Sequence, residues 1–369
     1  MKKLIAISVV FALVAGVAFA VDLGGTVIGT VDVLKSTTAD GAKVESGASM
    51  DRVRIDGSGE NGDGNFGGYF RFNGAWVPEG SYFPWAPMAA GNAWWKPLDQ
   101  FKLIIGSNGG DGFYGKEGVT GWMFYQTATD TGVSMGGGNV WGGGYGSTTY
   151  RSAFYGGDGG SDAARLEISP ADIAKINIMI PFFDGGETAD VFKQAHFQLD
   201  LNLDFGNIAV TYVGNIMEAD QQPTVFAYYG NAFGDLSLDF GVGFKFPNKD
   251  PSYSNPIAIG VGVKYALDTL GVKFRVVANV GGDNKETDIV TEVMPYFILG
   301  DNLTAFVSVG LSMAMPDGTD TVVGWHFNPY LQVGEEWGAK FLAGIKASSV
   351  GGKDAIIEWS VPIALIVSF

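Results

Sequence analysis

The sequence predicts an all-β fold, a transmembrane antiparallel β-barrel of about eighteen strands, or sixteen if two weak strands are merged with their neighbours. Three observations favour it. Segments of about ten residues with alternating apolar and polar side chains recur along the chain between Gly, Asn, Asp and Pro turns. The final segment is a long apolar strand that needs partners on both edges. No stretch after the first twenty residues approaches the 18 apolar residues of a transmembrane helix.

The last strand, Ala355 to Phe369, reads AIIEWSVPIALIVSF. Every second residue from Ile357 onward is apolar, which is the period of a strand with two different faces. An unpaired edge this long and apolar would aggregate. We therefore expect it to pair with the first strand, Val21 to Leu34, and so to close the barrel and remove both edges.

The first twenty residues are predicted to be a cleaved export signal. Lys2 and Lys3 precede a short apolar run, and Ala18-Phe19-Ala20 fits a small-x-small cleavage site. Residues 21–369 contain no linker or break in composition, so we expect a single barrel domain. The formal net charge of −16 argues against nucleic-acid or anionic-lipid partners. The absence of Cys excludes a disulfide framework and thiol chemistry.

The strands follow from the alternation, taken in order. In the first strand Leu23, Val31 and other apolar residues alternate with Asp22 and Thr30. A loop is expected at Lys35–Ser49, and a turn at Gly57–Asn65 after a short second strand. Further strands are predicted at 66–73, 94–96, 101–107, 165–169, 175–182, 196–204, 210–214, 224–230, 236–246, 257–267, 272–280, 289–299, 303–315, 322–333 and 340–348. The strands around Trp94 and Thr224 are the two that the sixteen-strand alternative merges.

The two faces of the strands predict what lies inside and outside. The less apolar face of several strands carries Gly or Ser, which suits a wide, water-filled lumen. The other face carries large apolar side chains, which suits lipid and interfacial aromatic girdles. The expected inward residues include Gly241, Gly243, Gly260, Gly262, Ser308 and Gly310, and the expected outward residues include Phe240, Phe244, Phe274, Trp325, Phe327 and Trp359.

One connection is far longer than the others. Residues 108–162 are rich in glycine and in aromatics such as Trp122 and Trp141. Glycine lets the backbone turn and approach closely, whereas disorder is poor in aromatics. This segment is therefore predicted to be an ordered insertion anchored against the barrel wall.

At this point the chain resembles the bacterial general porins, which share an export signal, a large even-stranded barrel, a terminal Phe and a long third external loop after the fifth strand. The resemblance implies an outer-membrane channel for passive diffusion of small hydrophilic solutes and ions, embedded in outer-membrane lipid as a homotrimer, with no cofactor. It implies that residues 108–162 fold into the lumen as a constriction loop. It also implies that the barrel-assembly machinery reads the C-terminal residues Val361, Ile363, Leu365, Val367 and Phe369 as an assembly signal.

The charge pattern gives candidate constriction residues. A basic wall is expected from inward cations on neighbouring strands, and an acidic counterpart from carboxylates of the insertion. A basic surface facing an acidic one creates a transverse field that favours hydrated, dipolar solutes. The alternative is that these are solvated lumen charges with local ion pairs and no role in selectivity. The basic candidates are Arg52, Arg54, Arg71, Lys102, Arg165 and Lys175, and the acidic candidates are Asp111, Glu117, Asp130, Asp158 and Asp162.

Little in the sequence points to catalysis or metal binding. Only two histidines occur, His196 and His326, and His326 is expected to be a solvated lumen residue. No nucleophile-elbow or zinc-protease motif is present. Two segments, Gly156–Asp162 and Asn61–Asn65, carry oxygen ligands but match no full calcium loop, so turn formation explains them. We expect neither an enzyme nor a metal site.

Two other functions remain open from the sequence. A substrate-specific channel, for example for sugars, could use inward aromatics such as Tyr69, Phe306 and Tyr330 as a stacking track. Alternatively, a surface adhesin or structural protein could have the same barrel with an incidental or plugged pore. Saturable transport would favour the first of these, and absence of conductance would favour the second.

Overall fold

The computed structural model describes residues 20–36, 44–76, 88–107, 162–181, 195–214, 223–246, 257–281, 287–315, 318, 320–334, 338–351 and 356–368. The predicted export signal up to residue 19, Phe369 and residues 108–161 of the insertion lie outside these ranges. Nearly all the described residues belong to antiparallel β-strands. Within the described residues, no helix is long and apolar enough to cross a bilayer.

The described part of the chain forms nineteen strand segments in a single sheet. They are β1 (Ala20–Ser36), β2 (Val44–Glu60), β3 (Phe66–Trp76), β4 (Met88–Leu98), β5 (Phe101–Ser107), β6 (Asp162–Ala171), β7 (Ala174–Pro181), β8 (His196–Leu203), β9 (Gly206–Val213), β10 (Thr224–Phe233), β11 (Leu236–Lys245), β12 (Ile257–Ala266), β13 (Leu270–Val280), β14 (Thr287–Gly300), β15 (Leu303–Met315), β16 (Val322–Val333), β17 (Ala339–Gly344), β18 (Lys346–Gly351) and β19 (Ile356–Ser368).

The sheet closes on itself, as predicted. Each strand pairs with the next one in sequence, and β19 returns to β1 with Val31 opposite Ile363 and Thr26 opposite Ser368. The first and last strands therefore have no free edge over this register. Closure supplies every edge with backbone hydrogen bonds, which is how an apolar strand such as β19 is kept from aggregating.

The strand count differs by one from the predicted eighteen because one strand is interrupted. β17 and β18 both pair with β16 on one side and β19 on the other, so they occupy a single position in the wall. Ile345 separates them and donates its backbone N–H to the carbonyl of Pro329 instead of continuing the ladder. The sixteen-strand alternative is wrong, because β4 and β10 are separate strands with two partners each.

Two predicted connections near the start are wrong in extent. The expected loop at Lys35–Ser49 and the expected turn at Gly57–Asn65 are largely strand, because β2 runs from Val44 to Glu60. Its pairing with the long β1 carries the ladder through residues whose local preference is for turns. Tertiary pairing overrides local propensity here.

Short connections all lie at one end of the barrel. Turns such as residues 61–65, 99–100, 172–173 and 301–302 join strands there, whereas residues 108–161 connect strands at the opposite end. In the first of these turns Asn61 accepts hydrogen bonds through Oδ1 from the backbone of Asn65 and Phe66, at 2.8 and 2.9 Å. Gly64 takes a positive φ of 65° there. This segment is therefore a well-satisfied turn.

Inside and outside follow the predicted alternation. Along β16 the residues His326, Asn328 and Tyr330 are buried on the lumen face, while Phe327 and Leu331 between them are exposed on the outer face. The glycines of β11 and β12 that were predicted to face inward are buried. Phe240, Phe244 and Phe327 are 46%, 37% and 45% exposed on the outer face. The barrel therefore has an apolar outer surface and a mainly small or polar inner one.

Candidate functional site

Four of the predicted basic residues come together on one side of the lumen. Arg71 lies on β3, Lys102 on β5, Arg165 on β6 and Lys175 on β7, and each alternates with outward apolar neighbours. We call these four residues the basic wall. Arg52 and Arg54 lie on the adjacent β2, but their side chains are outside the described part of the structure, as is that of Asp162 at the start of β6. Asp111, Glu117, Asp130 and Asp158 are also outside it.

Arg71 has its countercharge on its own side of the barrel. Its Nε donates to Oδ1 of Asp56 on β2 at 2.6 Å, and the Tyr69 hydroxyl donates to the same oxygen at 2.7 Å. The guanidinium lies over the Tyr69 ring, 5.2 Å from its centre. Residues two apart on β3 share a face, and Asp56 is the cross-strand partner of Arg71, so register alone assembles this group.

Arg165 and Lys175 share a second wall carboxylate. Glu167 lies two residues after Arg165 on β6, with Arg165 Nη2 at 2.8 Å from Oε1 and Lys175 Nζ at 3.2 Å from Oε2. The Arg165 and Glu167 side chains are 7% and 13% exposed, whereas Lys175 remains 44% exposed. Lys175 is thus the cation of this group most open to the lumen water.

These contacts revise the expected electrostatics of the lumen. The sequence predicted that the insertion supplies the acidic counterpart, but Asp56 and Glu167 neutralise part of the basic wall from within it. Both were missed as site residues although a signal was present. Asp56 follows Arg54 at a spacing of two, and Glu167 follows Arg165 at the same spacing, which places each carboxylate beside a cation on one strand face.

Lys102 is held over an aromatic ring. Its ammonium nitrogen lies 4.5 Å from the centre of the Trp94 ring on β4. Trp94 in turn lies across its cross-strand partner Gly67, where an added Cβ would fall 2.3 Å from the indole. Only glycine leaves room for the ring at this position. The arrangement is a cation–π contact on a ring that packs flat against the wall.

A cavity of about 530 Å³ opens beside these residues. It lies toward the short-turn end of the barrel, where β1 to β6 face the lumen. Its lining combines carboxylates, cations and aromatic rings with small residues. The lining residues are Asp22, Ser58, Gly59, Glu60, Gly68, Tyr69, Asn92, Trp94, Lys102, Ile104 and Arg165.

A second polar group lies on another stretch of the wall. Arg275 on β13 donates from Nε to Oε2 of Glu292 on β14 at 2.9 Å and also from a terminal nitrogen. The Ser308 hydroxyl donates to Oε1 of Glu292 at 2.7 Å and lies 2.6 Å from Nε2 of His326. We call these four residues the buried network. They are only 1–3% exposed, so the prediction that His326 is solvated is wrong.

The buried network does not have the geometry of a hydrolase triad. In such a triad the acid holds one ring nitrogen of the histidine while the other faces the serine. Here Ser308 and Glu292 both lie on the Nε2 side of His326, at 2.6 and 3.5 Å. The single hydroxyl proton of Ser308 is engaged by Glu292, so the arrangement serves to satisfy a buried carboxylate.

Two of the aromatics proposed for a sugar track are not open to the lumen. Phe306 and Tyr330 stack on each other with ring centres 4.8 Å apart and are 9% and 3% exposed. They pack in an apolar cluster on the lumen side of the wall with Met294, Leu342, Ala364 and Ile366. Tyr69 is the only one of the three that lines the cavity.

Comparisons with known proteins place the fold. No protein-family model and no curated protein matches the chain. Salmonella typhi OmpF in complex with daunomycin has a TM-score of 0.57 and 12% identity, with 95% of this chain and 98% of that chain covered. An anion-selective porin from Comamonas acidovorans has a TM-score of 0.54 and 12% identity, with 95% and 100% covered. In-vitro folded OmpT in trimer form, an outer membrane protein of Vibrio cholerae, has the same four values.

At such low identity these likenesses are likenesses of fold. They extend over nearly the whole of this chain and of each solved chain. Together with the closed antiparallel sheet, they show that the chain is an outer-membrane porin-like β-barrel.

Proposed function

We propose that the protein is an outer-membrane porin that lets small hydrophilic solutes and ions diffuse passively through a water-filled lumen. The observation that carries this proposal is the basic wall. A row of cations with partial countercharges, on the inner face of a closed barrel, gives a polar path across an apolar shell. No cofactor and no catalytic step are needed, and we infer none.

The outer surface supports an outer-membrane location. Residues such as Ile105, Phe197 and Leu365 are 50%, 46% and 50% exposed on the outer face. In water such a surface would be an aggregation hazard, whereas in lipid it is the favoured solvent. We propose that residues 1–20 direct export and are removed, and that residues 21–369 form one barrel domain inserted by the barrel-assembly machinery.

Residues 108–162 are proposed to narrow the lumen. Their strands of origin, β5 and β6, carry Lys102 and Arg165, so the insertion begins and ends beside the basic wall. Carboxylates of the insertion would then add to Asp56 and Glu167 in balancing the wall. The net charge of −16 favours a weak preference for cations overall.

A homotrimer is proposed as the assembled form. The support is the solved trimer form of Vibrio cholerae OmpT, whose fold this chain shares. Trimer assembly would place part of the apolar outer surface against neighbouring barrels. Crosslinking of the purified protein in detergent, followed by size analysis, tests this independently of transport.

The proposed function is tested by reconstituting the purified barrel in a planar bilayer and recording single-channel current in KCl. Stepwise, ohmic current increases are expected on insertion. Heat-unfolded protein at the same concentration is the control for detergent artefacts. Folded barrel that inserts without conducting would overturn the porin proposal and favour the adhesin or structural alternative.

The role of the insertion is tested by deleting Gly136–Gly146. The barrel strands are untouched, so we expect a folded protein with a larger single-channel conductance than the intact chain. The control is a deletion of similar size in the connection between β7 and β8, residues 183–193, which is not proposed to enter the pore. Equal conductance of the insertion variant and the intact chain would place the insertion outside the lumen.

A substrate-specific channel is the second candidate. The observation that favours it is the cavity, where Tyr69, Trp94 and several charged groups converge on one space. A general diffusion pore has no need of a concave pocket in its wall. Saturation of solute flux with concentration would support a specific channel, whereas linear flux would support general diffusion.

A further inference from the structure

The cavity beside the basic wall separates charge along its length. Asp22 on β1 and Glu60 on β2 lie at one side of it, and Lys102 on β5 and Arg165 on β6 lie at the other. The two carboxylate residues are exposed, while Arg165 is 6% exposed and anchored by Glu167. A solute in the cavity therefore meets negative charge at one end and positive charge at the other.

The separation of the two sides suits a particular length of solute. β2 and β5 are three strand spacings apart, or about 14 Å between backbones at about 4.7–4.9 Å per strand. The long side chains of Glu60 and Lys102 fill part of that distance. An extended peptide of two or three residues, at about 3.3–3.6 Å per residue, fills the remainder.

The aromatic rings of the cavity are poorly placed to stack a sugar. The Trp94 ring packs across Gly67 and has the Lys102 ammonium over it at 4.5 Å. The Tyr69 ring has the Arg71 guanidinium over it at 5.2 Å, and its hydroxyl is engaged by Asp56. Cations already lie over both rings, so recognition in this cavity is carried by charge instead of by ring stacking.

We propose that the cavity is a binding subsite for short zwitterionic peptides of two or three residues. The peptide's ammonium end lies toward Asp22 and Glu60, and its carboxylate end lies toward Lys102 and Arg165. A solute of one charge sign would gain at one end and be repelled at the other, so the charge pair selects solutes that carry both. The inference rests on the proposed channel function and assigns it a solute class.

The test uses triglycine, which has two terminal charges and no side chains. It is added to reconstituted channels in a planar bilayer at neutral pH, and interruptions of the ion current are counted against concentration. We expect saturable interruption by triglycine. N-acetyl-triglycine amide, which has the same length without terminal charges, is expected to act about fivefold more weakly or less, as the loss of two exposed ion pairs implies.

Variants then place the site. Lys102→Gln and the double variant Asp22→Asn/Glu60→Gln are each expected to weaken triglycine block about two- to fivefold, the effect of removing one end of an exposed charge pair. The matched controls are Lys264→Gln on β12, on another part of the wall, and Asp301→Asn in a short turn. Both controls are expected to keep the block of the unaltered channel.

The outcomes separate the subsite from the channel. Channels that conduct KCl but are interrupted equally by triglycine and its capped form overturn the subsite and leave the porin proposal standing. Stronger interruption by maltotriose than by triglycine overturns the peptide class in favour of sugars. Block that the control variants weaken as much as the cavity variants places binding elsewhere in the lumen. Absence of any conductance overturns the channel proposal itself.

Discussion

Arg275 and Glu292 form an ion pair that is almost wholly removed from water. Their side chains are 4% and 2% exposed, and the pair joins β13 to β14 on the lumen side of the wall. Ser308 satisfies the second carboxylate oxygen from β15. Three neighbouring strands are thereby linked by side chains in addition to their backbone ladder.

Breaking this pair on one side should destabilise the barrel strongly. Arg275→Met leaves the Glu292 carboxylate buried without its cation, which costs about 3–5 kcal/mol. The measurement is urea unfolding of the reconstituted barrel, followed by loss of heat-modifiable mobility on gels. The double variant Arg275→Met/Glu292→Leu should recover most of the loss, because no charge is then left buried.

The control for that experiment is an exposed pair. Lys96 and Asp99 lie 3.0 Å apart with side chains 36% and 92% exposed, so Lys96→Met should change stability by no more than about 1 kcal/mol. A single Arg275→Met variant as stable as the Lys96→Met variant would show that the buried pair does not hold the wall together.

Gly310 is predicted to be intolerant of a side chain. It is the cross-strand partner of His326, and an added Cβ would lie 2.5 Å from Cε1 and 2.8 Å from Nδ1 of that ring. His326 is 1% exposed and engaged with Ser308, so it has little room to move. Gly310→Ala should cost about 1–3 kcal/mol through overpacking, measured by the same urea unfolding.

Gly29→Ala on β1 is the matched control, because nothing lies within 4 Å of its added Cβ. The double variant Gly310→Ala/His326→Ala should lose less stability than the two single variants together, because the colliding ring is gone. Additive losses would mean that the ring and the new methyl group do not meet.

The outer face of β19 should reject charge. Leu365 is 50% exposed to the outside, and it belongs to the apolar row that ends the chain. Leu365→Asp should lower the yield of folded, inserted barrel, since a charge on a lipid-facing position costs up to several kcal/mol according to depth. Heat-modifiable barrel is measured in membranes. Asn302→Asp, the same charge placed in an exposed short turn, should insert normally.

The basic wall should set ion preference. Lys175→Gln removes its most exposed cation and leaves Glu167 paired with Arg165 alone, and Arg71→Gln releases Asp56. The double variant should therefore move the reversal potential in a KCl gradient toward cation preference while leaving the fold intact, because exposed charges contribute little stability. An unchanged reversal potential would show that the basic wall lies away from the narrow part of the pore.

The sequence alone determined the class of fold and nearly all the strands. Alternation with a period of two depends on each strand's own residues, so it is readable without partners. The apolar row from Ile357 to Leu365 predicted closure onto β1 because an edge of that kind cannot be left bare. Where the prediction erred, at residues 44–49 and 57–60, the long β1 extended β2 by pairing.

The tertiary structure alone decided which charges meet and which side chains are shielded from water. The period of two placed Arg71, Lys102, Arg165 and Lys175 on the inner face, but only register brought Asp56 to Arg71 and Lys175 to Glu167. His326 was expected in water and is buried, because Ser308 and Glu292 reach it from two neighbouring strands. Such contacts depend on the pairing of residues 16 to 34 positions apart, which local sequence patterns do not encode.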